Sequence, residues 1–161
     1  MKQTLSVLVE NKPGVLSKVS GLFSRRGFNI YSLAVGVTDD ESVSRMTIVV
    51  DANDVVVEQV VKQLNKLIDV IKVKELNENT FLTRELALIK VKANASSRNE
   101  IVQIAQLYEC KISDVSPTAM ILETSGTTDK IDALEIMLKQ YGILETMRTG
   151  AVALEKGKET I

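Results

Sequence analysis

The stretch from Leu5 to Ile30, LSVLVENKPGVLSKVSGLFSRRGFNI, decides how the first half of the chain folds. Leu5, Val7 and Val9 alternate with Ser6, Leu8 and Glu10 as in a half-buried strand, and Val15, Leu16, Val19, Leu22 and Phe23 then recur at helical spacing. The period changes across Asn11-Lys12-Pro13-Gly14. Pro13 is expected in the first helical turn, where its missing N–H would have had no partner, and Asn11 is expected to cap the helix or reach a ligand through its amide. Gly14 has no β-carbon, so a ligand can approach the backbone there. The unpaired N–H groups of the turn and the positive end of the helix dipole make it a candidate carboxylate site, worth about 0.3–1 kcal/mol, or up to about 2 if sheltered. A well-made turn that binds nothing fits the same residues. At the far end, Arg25-Arg26 before Gly27 reads as a helix terminus, with cations offsetting the dipole and glycine taking the left-handed cap.

Working outward, residues 29–37 are strand-like, the polar run Thr38-Asp39-Asp40-Glu41-Ser42 is a turn, and residues 44–51 alternate again, which makes a hairpin. Its three acidic residues read as a solvated tip rather than a metal site. Asn53 or Asp54 is expected to cap a helix carrying Val56, Val57, Val60, Val61, Leu64 and Leu67, with a strand through Val70, Ile71, Val73 and Leu76. The order is βαββαβ. After the polar stretch Asn77-Glu78-Asn79-Thr80 the order repeats. Ala87, Ile89 and Val91 mark a strand, Ile101, Ile104, Ala105 and Tyr108 a helix, and residues 111–115 and 119–124 two strands. A last helix, capped by Thr128 or Asp129, carries Ile131, Leu134, Met137, Leu138 and Tyr141. It closes at Gly142 before a strand over 143–154 and a charged tail, Glu155 to Ile161, expected to fray. The expected fold class is α+β, with two ferredoxin-like βαββαβ domains in tandem: residues 1–77, a linker at 78–80, and residues 81–161.

Composition narrows the chemistry. The chain has 161 residues, no histidine, no tryptophan and one cysteine, so His-dependent triads, internal disulfides and thiolate zinc sites are excluded. Cys110 reads as a small packing residue. The net charge of −1, dispersed Lys and Arg, and 4% aromatic content give no support for a nucleic-acid surface. No apolar run approaches the length of a membrane span, and a soluble, cytoplasmic protein is expected. Each half is small enough to be marginally stable alone, so association with another chain is expected. Ser32, Ala34 and Gly36 line one face of the second strand. Such a small-residue face suits a partner, a ligand or a neighbouring element of the same chain equally.

Together, LSVLVENKPGVLSKVSGLFSRRGFNIYSL, SRMTIVV, QLNKLIDVIKV, TRELALIKV and RTGAVAL resemble the regulatory (small) subunit family of acetolactate synthase, over almost the whole chain. The N-terminal half resembles an ACT domain, an amino-acid-sensing module. The resemblance implies a noncatalytic subunit that forms a homodimer through its ACT domains and activates a catalytic (large) subunit. It also implies feedback inhibition by valine bound where two ACT domains meet. Carried over by position, Asn11, Pro13, Gly14, Val15 and Leu16 would hold the valine carboxylate and part of its side chain, and Asn29 and Ile30 of the paired chain would complete the site. No cofactor is expected on this chain; thiamine diphosphate, magnesium and FAD are expected on the catalytic subunit. Asn94-Ala95-Ser96-Ser97, the equivalent turn of the second half, lacks the Pro-Gly pair and is not expected to be a second valine site. A free-standing ACT-type sensor acting on another enzyme, a transporter or a transcription factor is the alternative. A small enzyme using carboxylates such as Asp39 or Asp114 is a more distant one.

Overall fold

The structure is a computed structural model that describes residues 2–77 and 79–161. Met1, and Glu78 in the expected linker, lie outside the described residues. The chain divides into two compact units, Met1–Leu82 with Ala151–Ile161, and Thr83–Gly150. The last eleven residues group with the first unit.

In the first unit, β1 (Lys2–Glu10), α1 (Val15–Arg25), β2 (Ile30–Val37), β3 (Val43–Asp51), α2 (Asp54–Leu64) and β4 (Val70–Leu76) form a βαββαβ unit with an antiparallel sheet ordered β2-β3-β1-β4. The alternation seen in sequence sends Leu5, Val7 and Val9 to the helix-covered face, opposite Ile48 and Met46 on β3. Val15, Val19, Leu22 and Phe23 of α1 and Val57, Val60 and Leu64 of α2 close the core over them. Each such buried side chain contributes about 1.5–3 kcal/mol. Asn53 caps α2, its Oδ1 accepting from the Val56 amide at 3.0 Å. The end of α1 is a Schellman motif: Phe28 N–H donates to Phe23 O, Gly27 N–H donates to Ser24 O, and Gly27 sits at φ 68°.

In the second unit, β5 (Phe81–Lys92), α3 (Arg98–Leu107), β6 (Lys111–Val115), β7 (Ala119–Gly126), α4 (Thr128–Leu138) and β8 (Ile143–Arg148) repeat the plan in the order β6-β7-β5-β8. Its core joins Ile89, Val91, Ile101, Ile104, Met120, Leu122, Ile131, Leu134 and Leu138. Cys110 is half-buried against this core, and burial pushes its thiol pKa up, as suits a packing residue.

Several expectations are corrected. Thr127, not Thr128 or Asp129, caps α4, because its side chain accepts from Lys130 N–H. Thr128 is then free to bond the buried Glu85 instead. The single strand expected over 143–154 is broken after Arg148, where Gly150 adopts φ 77°, and resumes as β9 (Val152–Glu155). Nor does the tail fray: Glu155 pairs with Lys74, Lys74 Nζ also donates to Thr160 O, and Lys156 N–H donates to Thr80 O at 2.7 Å.

Candidate functional site

The turn between β1 and α1 is built by its sequence as a type II turn. Val15 N–H reaches back to Lys12 O at 3.4 Å, Pro13 takes the second position, and Gly14 takes the third at φ 85°, ψ −9°, the left-handed values that favour glycine. Pro13 thus lies outside the helix, one residue before the N-cap Gly14, and not in the first helical turn. The chain must turn before the helix can start, and proline fixes that turn. A β-carbon built on Gly14 meets nothing within 4 Å, so the backbone faces open space.

No side chain caps α1. Among the described residues, the amides of Gly14, Leu16 and Ser17 find no acceptor, while Lys18 N–H begins the helical ladder on Gly14 O. These exposed donors stand at the positive end of the helix. Asn11 does not cap. Its backbone N–H donates to Ser42 O at 2.7 Å and its Nδ2 donates to Glu41 O at 2.8 Å, so the residue fastens the turn to the β2–β3 hairpin and leaves Oδ1 open. Val15 is buried, whereas Leu16 stays half exposed beside the free amides. Lys12 is committed to Glu10: the hydrogen bond to that carboxylate, then its charge, raise the lysine pKa. Lys18 is held by Asp69 at 2.6 Å. The positive character of the turn therefore comes from the backbone.

The remaining sequence-predicted residues lie elsewhere. Asn29 and Ile30 follow the other end of α1, and Asn29 lines a cleft of about 450 Å³ with Arg26, Gly27, Phe28, Ala52 and Asn53. Glu10 pairs with Val43 and Ile30 with Val50, seven positions further along β3, which is about 24 Å of strand. One copy of the chain does not bring the two groups together.

The second unit uses its corresponding turn differently. Asn94 Oδ1 accepts from the amides of Ser96 and Ser97, both at 2.9 Å, and from both serine hydroxyls. The Ser97 amide, which stands where the free Gly14 amide stands in the first unit, is thus occupied here by an internal carboxamide. A nearby cleft of about 580 Å³ is lined by Lys92, Asn94, Ser97, Thr118 and Tyr141 among others. The acidic hairpin tip is also self-satisfied, since Asp40 accepts from the Ser42 amide and hydroxyl, which lowers its pKa. Among the described residues no cluster of His, Cys, Asp or Glu could hold a metal ion, and no helix is long and apolar enough to cross a membrane.

Sequence reasoning did not find the hydroxyls of Ser32 and Thr47 as holders of the chain's end. Ala151 N–H donates to Ser32 Oγ at 3.1 Å, and Ala153 N–H donates to Thr47 Oγ1 at 3.3 Å. The small face of β2 therefore accommodates an element of the same chain. The available signal was the pairing of that face with Ala151 and Ala153 in the AVAL run, small residues at alternate positions.

Comparison with known proteins gives two family matches: a model of the AHAS small subunit-like ACT domain over residues 5–72, and one of the small subunit of acetolactate synthase over residues 84–157. The chain is 54% identical to the probable acetolactate synthase small subunit of Archaeoglobus fulgidus over 99% of both chains. It is 52% identical to the acetolactate synthase small subunit of Mycolicibacterium smegmatis, over 98% of this chain and 93% of that one. The crystal structure of the acetolactate synthase small subunit from Thermotoga maritima superposes with a TM-score of 0.92 at 39% identity, covering 99% of each chain.

Proposed function

This chain belongs to the acetolactate synthase small-subunit family, and from that premise we propose that it activates the catalytic subunit of acetolactate synthase and makes it sensitive to valine. The observation that carries the valine reading is the set of unpartnered amides at Gly14, Leu16 and Ser17, open to solvent at the start of α1. Three neighbouring free N–H donors and a helix dipole suit a carboxylate, and half-exposed Leu16 offers an apolar wall for a short branched side chain. The open Oδ1 of Asn11 and the carboxamide of Asn29 are acceptors for the ammonium group.

Joining Asn29 and Ile30 to this turn takes a second copy. Strand β2 is an edge of its sheet. Pairing it antiparallel with β2 of a partner about a two-fold axis sets the Ile30 end of one strand beside the Val37 end of the other. The Val37 end leads into the hairpin that Asn11 grips through Glu41 O and Ser42 O. The same operation makes two equivalent sites and satisfies two exposed strand edges.

Valine then controls activity by favouring one arrangement of the assembled subunits, since a ligand moves an equilibrium only through its differential affinity. A coupling of about 1–3 kcal/mol suffices. The acid-base and thiamine chemistry falls to the catalytic subunit, in keeping with this chain's place in the small-subunit family. The test is to mix the chain with its catalytic subunit and follow acetolactate formation as valine is added. A rise in rate on mixing followed by valine-dependent loss is expected. Failure of either half removes the corresponding part of the proposal.

A further inference from the structure

The C-terminal segment is a strap laid on the face of the first sheet that the helices do not cover. Ala151 and Ala153 point into that face and are 7% and 6% exposed, whereas Val152 and Leu154 face outward at 49% and 60%. Only small residues beneath permit so close an approach, and Ser32, Ala34 and Thr47 supply them. The strap is held through its backbone: Ala151 N–H on Ser32 Oγ, Ala153 N–H on Thr47 Oγ1, and Ala153 O accepting from Arg45 Nη2 at 3.2 Å. Its far end is fixed by Lys74 through Glu155 and Thr160 O.

The strap is also anchored where it begins. Arg148, three residues before Ala151, donates from Nε and Nη2 to buried Glu85 and from Nη1 to Asp132 within the second unit. Thr149 N–H donates to Leu86 O. Along the chain only Gly150 separates Thr149 from Ala151, the residue bonded to Ser32. Ser32 itself stands two residues from Ile30, and the register between β2 and β3 changes at this point: Ile30 faces Val50, Ser32 faces Val49, and Tyr31 is the extra residue. A bulge leaves its extra residue unpaired and interrupts the ladder locally, so the strand is least constrained by its neighbour at this point.

We propose that this strap is the mechanical link through which amino-acid binding in the first unit is read by the second. Occupation of the site at Asn29 and Ile30 resets the bulge at Tyr31, moves Ser32, and so moves Ala151, Gly150 and the Arg148 anchor. Ser32 and Thr47 are positioning residues in this scheme and do not touch the ligand. The inference rests on the ligand site proposed above.

The test uses the full chain in its holoenzyme with L-valine as the probe. Replacing both acceptors, Ser32→Ala with Thr47→Val, should leave calorimetric affinity for valine within about twofold of the parent. The valine concentration that halves holoenzyme activity should rise at least about tenfold. Hydrogen exchange at the Ala151 and Ala153 amides should accelerate about fivefold for each lost hydrogen bond. In the parent, adding valine should change exchange at these two amides, and Thr47→Ser, which keeps the hydroxyl, should behave as the parent does. If the double variant binds valine and is inhibited like the parent, or if valine inhibits the parent without altering exchange at Ala151 and Ala153, the link is overturned while the ligand site stands. If the parent does not bind valine, the site reading fails and the link goes with it.

Discussion

Replacing Gly14 with aspartate separates a carboxylate site from a turn that only folds. No atom lies within 4 Å of a β-carbon there, so the cost is not steric clash; it is the left-handed backbone at φ 85°, about 1–2 kcal/mol for a residue with a β-carbon. Alanine pays that cost and brings no charge, which makes Gly14→Ala the control. Aspartate at this N-cap position brings its own carboxylate near the amides of Leu16 and Ser17, the second and third helical residues, where the helix dipole favours it by about 0.3–1 kcal/mol. Gly14→Asp should therefore be as stable as Gly14→Ala or slightly more so, while its ligand site is both occupied and negatively charged. Two carboxylates about 4 Å apart repel by about 1 kcal/mol in a water-like setting and about 4 where the site is sheltered. Valine affinity should fall at least about fivefold below that of Gly14→Ala, and by several hundredfold if a partner copy covers the turn. Titration calorimetry with L-valine, alongside thermal melting, measures both quantities. If Gly14→Asp binds valine as tightly as Gly14→Ala, the free amides do not hold the ligand's acid group.

Two further predictions concern the second unit. Arg148→Met leaves Glu85, 4% exposed, without its two guanidinium hydrogen bonds and should lower stability by about 3–5 kcal/mol in denaturant unfolding. Burial by itself lowers the Arg148 pKa, but the hydrogen bonds to Asp132 and Glu85 outweigh it and raise the value, so the arginine stays charged. In the variant the buried carboxylate has lost its cation, so adding Glu85→Leu should recover most of the deficit. A deficit unchanged by the second substitution would refute the account. Glu109 closes α3 in the glycine position of a Schellman motif at φ 56°, with Cys110 N–H on Ala105 O. Glu109→Gly relieves about 1–2 kcal/mol of left-handed strain and adds about 0.5–1 of unfolded-chain entropy, so the melting curve should show a net gain of about 0.5–1 kcal/mol. Its ion pair with Lys130 is 86% exposed on the glutamate side and offers little to lose.

The alternation of Leu5, Val7 and Val9, the helical spacing from Val15 to Phe23 and their counterparts in the second half determined the two βαββαβ units, because burial of one face imposes a period that local sequence must carry. Gly27 likewise announced its left-handed cap, since that backbone region disfavours residues with a β-carbon, whereas the left-handed turn at Gly14 emerged only from the structure. Cap identity was less legible: Thr127 and Thr128 offer the same hydroxyl, and only the position of buried Glu85 assigns one to the helix and the other to the carboxylate. Only the tertiary structure showed that Asn11 spends its amide N–H groups on the hairpin, that Asn29 lies about 24 Å of strand from the turn, and that the last eleven residues return to the first sheet. Those facts depend on contacts between residues as far as 119 positions apart, such as Ala151 on Ser32. Periodicity and local propensity report what a segment's neighbours along the chain require of it, and they hold no record of which distant surface will supply its hydrogen-bond partners.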